Sequence, residues 1–396
     1  MKPCTIQEQV RQAILNKILR GEWKRGMMIP GRIQLAREFG VAKRTMELAV
    51  QRLIAEGILI GEKRRGTFVA QDLPSSFFAR DEAKPEDQQT EVGKLVAIFC
   101  SVGPRWTPER YRTSGQYWPM IVSGAMEQRL SHSGCFAQFI PVKDDQDLAT
   151  MVEEQLENDV MGLAFINIHE SSRFETMLLD LVPRLKVPTI YVNNHELDAP
   201  VSHLFCGEWL AGHLAANHLI DAGYSRIVFV DMFDARWNAA RLDGARAAAQ
   251  ARSVDFIVQD GERLPKGHSP ELEDIRKCAM RNTAHYLMRH PNPEPGHDAL
   301  LYGNDLAALA GMDCLCDAGC EPGVCVGVMG FDDHWQAREK GLSTMRPPLE
   351  TIGRAAAEHL LNCLKTPQPL VQIRMQAQVI ARLSTRCQLK ETATIR

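Results

Sequence analysis

GEWKRGMMIPGRIQLAREFGVAKRTMELAVQRLIAEGILIGEKRRGTFVA, residues 21–70, decides the reading of the N-terminal part of the chain. Gly26, Pro30 and Gly31 shape a loop into a helix from Arg32 to Phe39, and Gly40-Val41 makes a turn. A second helix runs from Lys43 to Glu56, with Met46, Val50, Leu53 and Ile54 on its inward face, and Gly57 ends it. Ile58-Leu59-Ile60 and Gly66-Thr67-Phe68-Val69 read as strands around a basic tip, Glu62-Lys63-Arg64-Arg65. Upstream, Ile6, Val10, Ile14, Ile18 and Leu19 mark one face of a helix from Thr5 to Arg20, stopped by Gly21. Two helices across a short turn, then a hairpin, make a winged helix-turn-helix.

The charge agrees. Residues 1–70 hold 14 Lys and Arg against 6 Glu, a balance of +8, while the rest hold 32 Lys and Arg against 43 Asp and Glu, a balance of −11. Affinity for a polyanion is therefore expected in the N-terminal part. The 396-residue chain suits two or three domains. The first 21 residues are interrupted by charges and do not form a signal peptide, and no window is long enough to span a membrane. Eleven cysteines form no paired framework and fit a reducing cytoplasm. Cys314, Cys316, Cys320 and Cys325 match no common zinc spacing; they are expected as structural thiols, with Cys325 in a buried strand, and a metal or redox role is the minor alternative.

Residues 21–70 resemble the GntR-type winged helix along nearly their whole length. The matching positions are the Gly26/Pro30 loop, Leu35-Ala36, Phe39-Gly40-Val41, Arg44-Thr45, Ala49, Leu53, Glu56-Gly57 and Gly66 to Val69. The resemblance implies that the N-terminal end of the third helix enters the major groove of double-stranded DNA, with Lys43, Arg44 and Thr45 reaching bases and phosphates. Lys63, Arg64 and Arg65 at the wing tip would reach backbone or minor groove, and Arg32 would meet a phosphate at a helix N-terminus. The alternative for each is a solvated surface charge. Gly31-Arg32-Ile33 stands where the family has Ser-Glu-Arg, and Ala42-Lys43 where it has Ser-Arg. Glu47 replaces a common basic residue, placed to read a cytosine amino group or to repel phosphate. The operator is therefore expected to depart from the commonest family sequence.

Residues 72–93 are rich in Pro, Ser, Asp, Glu and Gln and read as a linker. Beyond them, short apolar runs alternate with helical stretches. Strands are expected at 95–100, 135–140, 162–166, 188–192, 226–230, 255–258, 299–302 and 324–329. Helices are expected at 118–132, 148–157, 174–185, 208–222, 238–252, 272–290 and 305–318. This is an α/β pattern of two doubly wound parallel-sheet lobes, with ligands at the carboxyl ends of the strands.

Several stretches here resemble the LacI/GalR sensor domain, itself like periplasmic sugar-binding proteins. They are Gly223 to Ile227, Asn238 to Gly244, Asn304-Asp305, Gly330-Phe331-Asp332-Asp333, and Leu342 to Gly353 with its Pro347-Pro348. Joined to the N-terminal reader they look like the AraR-type arrangement. The resemblance implies a DNA-binding domain over 1–71 and a sensor over 94–389, with a tail at 390–396. The chain would cross between lobes three times, one lobe being about 94–203 plus 348–374 and the other about 204–347 plus 375–389.

Arg241, Asn304 and Asp332 match the family's effector-holding positions. Asp332 suits two hydroxyls, Arg241 donates in a fork, and the Asn304 amide does both. The bland alternatives are a helix surface charge, an N-cap and a turn cap respectively. Asn193 is the candidate from the first lobe, Asn167 and His169 being weaker ones. Tyr117, Trp118, Trp237 and Trp335 suit a sugar face or a core equally. Residues 102–117, with Arg105, Trp106, Arg110 and Arg112, form a long basic loop that covers the cleft or lies on the surface.

These features point to a cytoplasmic, ligand-responsive transcription regulator: a repressor, dimeric on palindromic half-sites, taking a small polar effector such as a sugar, with no cofactor and no metal. A cytoplasmic solute-binding protein, and an activator or corepressor-dependent regulator of the same architecture, are the alternatives. No phosphate loop, nucleophile elbow or metal pair at working spacing suggests an enzyme.

Overall fold

The computed structural model describes residues 10–11, 14–15, 17–18, 23–24, 26–38, 43–55, 57–62, 66–71, 95–101, 118–143, 147–167, 177, 179–196, 199–264 and 271–386. The chain forms two compact units, Met1–Gln89 and Thr90–Arg396. The expected linker, 72–93, lies outside the described residues, as do 102–117.

In the first unit, α1 (Arg32–Glu38) and α2 (Lys43–Ala55) pack together beside a small sheet. Its strands are β1 (Met28–Ile29), β2 (Leu59–Glu62) and β3 (Gly66–Val69), all antiparallel, with β3 central. Met46, Ala49, Val50 and Leu53 supply the inward face of α2, and they bury against Ile14, Leu15, Leu35, Leu59 and Val69. Gly57 takes φ +72° after α2. The Gly57 amide donates to Ile54 O and the Ile58 amide to Leu53 O, closing the helix in a Schellman turn and launching β2.

The second unit holds two six-stranded sheets. The first lobe's sheet orders as β14-β8-β7-β6-β4-β5 and is parallel throughout: β4 (Leu95–Ser101), β5 (Phe136–Val142), β6 (Val160–Ile166), β7 (Thr189–Asn193), β8 (Ser202–Cys206) and β14 (Gln372–Met375). The second lobe's orders as β10-β9-β11-β12-β13-β15: β9 (Arg226–Val230), β10 (Asp255–Gln259), β11 (Asp298–Tyr302), β12 (Gly327–Phe331), β13 (Ser343–Arg346) and the antiparallel β15 (Gln378–Ile380). Each lobe thus repeats the doubly wound order 2-1-3-4-5, with a sixth strand from the C-terminal region added at the edge.

Helices cover both faces, as continuous apolar strands require. α3 (Trp118–His132) and α10 (Leu349–Lys365) pack together on one face of the first sheet, and α4 (Leu148–Glu157) lies on the other. α5 (Glu208–Ala222) and α6 (Arg236–Ala251) cover one face of the second. α7 (Leu272–Arg289), α8 (Asp305–Asp317) and the short α9 (Trp335–Glu339) cover the other.

The chain passes between lobes from β8 to α5, from β13 to α10 and from β14 to β15. β8 was not expected. It places the first passage after Cys206, a few residues beyond 203. The strand expected at 324–329 forms as Gly327–Phe331, so Cys325 precedes it in a turn, its amide donating to Glu321 O. Cys316 is exposed, against the expectation of burial: it lies on the solvent side of α8, while Cys320 is buried. Among the described residues no group of three His, Cys, Asp or Glu could hold a metal, and no helix is long and apolar enough to cross a membrane.

Candidate functional site

The order 2-1-3-4-5 reverses direction between the first and third strands, and ligand crevices open at the carboxyl ends there. In the second lobe those ends are Asp231 to Phe233 after β9, Gly303-Asn304 after β11 and Asp332-Asp333 after β12. Arg241, in the second turn of α6, reaches into this edge and is itself buried. Its Nε donates to Glu208 Oε2 at 2.6 Å and its Nη1 to the Gly303 carbonyl at 2.6 Å, while Nη2 lies 3.5 Å from Asp332 Oδ1. The guanidinium lies over two rings, Cζ being 4.8 Å from the Trp237 centroid and 4.5 Å from that of Phe331. Rings and acceptors leave little rotational freedom, so the spare N–H groups point in a fixed fork.

Burial opposes the charge of Arg241, but Glu208 and Asp332 outweigh it and raise its pKa further. Glu208, 7% exposed, is pushed up by burial and pulled down by Arg241. Asp332 keeps 40% exposure in its side chain; its removal from water raises its carboxyl and Arg241 opposes the rise.

Close helix contact builds this pair. A Cβ on Gly212 of α5 would lie 1.9 Å from the Arg241 carbonyl oxygen, and one on Gly244 of α6 would lie 1.8 Å from that of Trp209. Each glycine thus admits the other helix's backbone. Glu208 stands one turn before Gly212 and Arg241 one turn before Gly244, so the same contact brings the two charges together.

Asp332 takes φ +104° and Asp333 φ +50°, backbone that non-glycine residues seldom adopt. The strand behind holds it there. The Asp332 amide donates to Met345 O at 2.8 Å, and the Asp333 carboxylate accepts from Arg346 Nε and Arg382 Nη2, each at 2.5 Å. Beneath them Asp305 is buried, accepting from Thr344 Oγ1 at 2.7 Å and from the His334 amide at 2.8 Å. Burial raises its carboxyl well above the ordinary range.

The other expected ligand residues are distributed as follows. Asn304 caps α8, its Oδ1 accepting from the Ala307 amide at 2.9 Å, which is the N-cap alternative. Trp237 belongs to the Arg241 group and also packs on the core and against Phe233. Trp335 is exposed beside His334. Trp118 packs on the apolar core of the first lobe. Asn193 ends β7 and is buried; its Nδ2 donates to Tyr191 Oη at 2.5 Å and its Oδ1 accepts from the Asn194 amide. Asn167 follows β6 with φ +50°. Tyr117 and His169 lie outside the described residues.

In the first unit Lys43 opens α2, exposed, its Nζ 3.8 Å from Glu47 Oε1 one turn on. Glu47 therefore lies beside a cation. Arg32 opens α1 and is half-buried. Arg44 and Thr45 occupy the first turn of α2, but their side chains, with Lys63, Arg64 and Arg65, lie outside the described residues.

Sequence reasoning missed Glu208 and Asp305. An acid in the first turn of a helix has an ordinary explanation in the helix dipole, and both residues have that position. The signal that was present is glycine inside helices: Gly212 and Gly244 interrupt otherwise favourable runs and mark a close backbone approach.

Two domain families match the chain. The model of bacterial regulatory proteins, gntR family, matches residues 6–69, and that of a periplasmic binding protein-like domain matches residues 216–385. The arabinose metabolism transcriptional repressor of Geobacillus stearothermophilus is 24% identical, covering 98% of this chain and 100% of its own length. The ribose operon repressor of Escherichia coli K12 is 26% identical over 59% of this chain and 67% of its own. Among solved structures, a lac repressor dimer bound to operator and an anti-inducer aligns at a TM-score of 0.58 with 16% identity. It covers 74% of this chain and 95% of that one.

Proposed function

We propose, for a chain that joins a gntR-family helix-turn-helix domain to a periplasmic-binding-protein-like domain, that a small hydroxylated effector binds at Arg241 and Asp332 and thereby changes the hold of the reader on its operator. The protein is a ligand-responsive transcriptional repressor and not an enzyme; its relatives of the same or overlapping architecture are named repressors. The observation that carries the effector site is the Arg241 fork, fixed by Glu208, the Gly303 carbonyl and two rings, and opening beside a carboxylate acceptor.

That pairing suits a sugar. Ring or hydroxyl oxygens accept from the fork, hydroxyls donate to Asp332, and Trp237 offers an apolar surface. The relatives named for arabinose and ribose favour a pentose. A homodimer places two readers on two half-sites, and the cytoplasm is where such a protein meets DNA. Lys43, Arg44 and Thr45 read the major groove. Arg32, Lys63, Arg64 and Arg65 hold phosphates or the minor groove, and Glu47, beside Lys43, accepts from a cytosine amino group. Asn193 and Asn304 Nδ2, with Tyr117, Trp118 and Trp335, complete the candidate effector residues. The domain limits are 1–71 for the reader and 94–389 for the sensor.

The test is calorimetry of the full chain against aldopentoses and aldohexoses, with operator retardation in the same mixtures. The expected result is saturable binding that weakens by about 10–100-fold in Asp332→Asn, the range for a lost charge-assisted hydrogen bond. Full affinity in that variant removes the cleft from consideration.

A further inference from the structure

We infer that Glu208 sets the charge class of the effector: by neutralising Arg241 at the strand ends it keeps the cleft for uncharged polyhydroxyl ligands and turns away those carrying a carboxylate or phosphate. The inference rests on the effector reading above and adds to it a residue and a ligand class.

A lone buried arginine is a strong anion receptor, because its fork matches two oxygens of a carboxylate or phosphate. Here that capacity is already spent. Glu208 Oε2 takes the Nε–H at 2.6 Å from a buried position, and the Gly303 carbonyl takes an Nη1 hydrogen at 2.6 Å. Asp332 stands 3.5 Å from Nη2, so two carboxylates face one cation. Asp305, buried beneath, has both carboxyl oxygens occupied by donors from Thr344 and His334. Across the crevice the end of β7 carries Asn193 and Asn194, and β8 ends in Cys206, whose thiol is held protonated by burial and by Glu208. None of these is a cation. An anion at the fork therefore meets a cation already balanced by Glu208, so attraction to Arg241 is cancelled and the neighbouring Asp332 repels. A neutral sugar needs only the N–H groups left over and the Asp332 oxygens. Glu208 is a positioning and specificity residue in this scheme: it acts through Arg241, and the Gly212–Gly244 contact delivers it.

The experiment measures binding of the full-length protein by calorimetry to matched pairs, L-arabinose, D-galactose and D-ribose against D-galacturonate and ribose 5-phosphate. The quantity read is the neutral-to-anionic affinity ratio, which a merely structural role leaves unmoved. Wild type is expected to bind a neutral member at least about 10-fold more tightly than its anionic match, the scale of one charged hydrogen bond. Glu208→Gln, which keeps the shape and removes the charge, is expected to shrink that ratio by about 10-fold or invert it, and Glu208→Asp to restore most of it. An unchanged ratio in a folded Glu208→Gln protein overturns the inference. So does a wild-type preference for an anionic member, which leaves the effector reading standing and decides the matter even if the variant does not fold. Binding of no member of the panel overturns the effector reading and this inference with it.

Discussion

Arg241 has different consequences for stability and for binding, depending on which partner is removed. Arg241→Ala leaves Glu208 buried without its cation, so folding stability is expected to fall by about 3–5 kcal/mol, read as a lower denaturant midpoint. Asp332→Asn touches an exposed acceptor and is expected to leave the midpoint within about 0.5 kcal/mol while binding weakens. His203 carries a second prediction. It is buried between the rings of Tyr191 (5.1 Å) and Phe205 (4.7 Å), and burial, with His195 nearby, lowers its pKa to about 4. The unfolded chain takes up a proton near pH 6.5 and the folded chain only near 4, so stability falls as pH drops between those values. His203→Gln is expected to flatten that limb by about 2 kcal/mol, measured as the difference in unfolding free energy between pH 7 and pH 5. At this scale the sequence placed Asn304 and Asp332 in short motifs at strand ends and Arg241 with them, although the structure puts Arg241 inside α6. Their division of labour was not legible: Asn304 giving its oxygen to a cap, and Glu208 facing Arg241, depend on how two helices approach in space.

Between elements, α5 and α6 make the contact on which the site depends, and glycine sets its distance. Gly212→Ala or Gly244→Ala forces a methyl group onto a backbone oxygen and is expected to lower stability by about 1–3 kcal/mol or more, with a matching loss of effector affinity. Gly124, exposed in α3, has nothing within 4 Å of a Cβ, so Gly124→Ala is expected to raise stability by about 0.5–1 kcal/mol. Thermal unfolding of the three variants checks both signs together. The helices of the sensor were the most legible elements: the expected 118–132 and 208–222 are the observed bounds of α3 and α5. β8, Ser-His-Leu-Phe-Cys, was missed because a histidine and a serine break its apolar run, although the fold buries all five residues. β14 and β15 are edge strands of four and three residues, with exposed and half-buried side chains and short apolar runs, and α9 has five residues, too few to show a period.

For the whole molecule, effector and operator are two ligands of one equilibrium, so each must change the affinity for the other by the same factor. Saturating effector at about 100 times its Kd is expected to stabilise the sensor by about 2.7 kcal/mol and to release operator, seen as lost retardation. Asp332→Asn protein is expected to stay on the operator at that same concentration. The two doubly wound lobes were legible from alternation alone. The strand that closes each sheet was not, because it comes from beyond the last β-α repeat, at 372–375 for the first lobe and 378–380 for the second. This late closure bears on synthesis. A ribosome delivers the chain from its N-terminus, and domains ordinarily fold as they emerge. The reader, complete by Val69, can do so. The first lobe lacks α10 and β14 until residue 375 has left the tunnel, long after β4 to β8 are made. Its open edge at β8 therefore stays exposed while the whole β9 to β13 region is made, and the sensor reaches its native form only once β14 and β15 have followed.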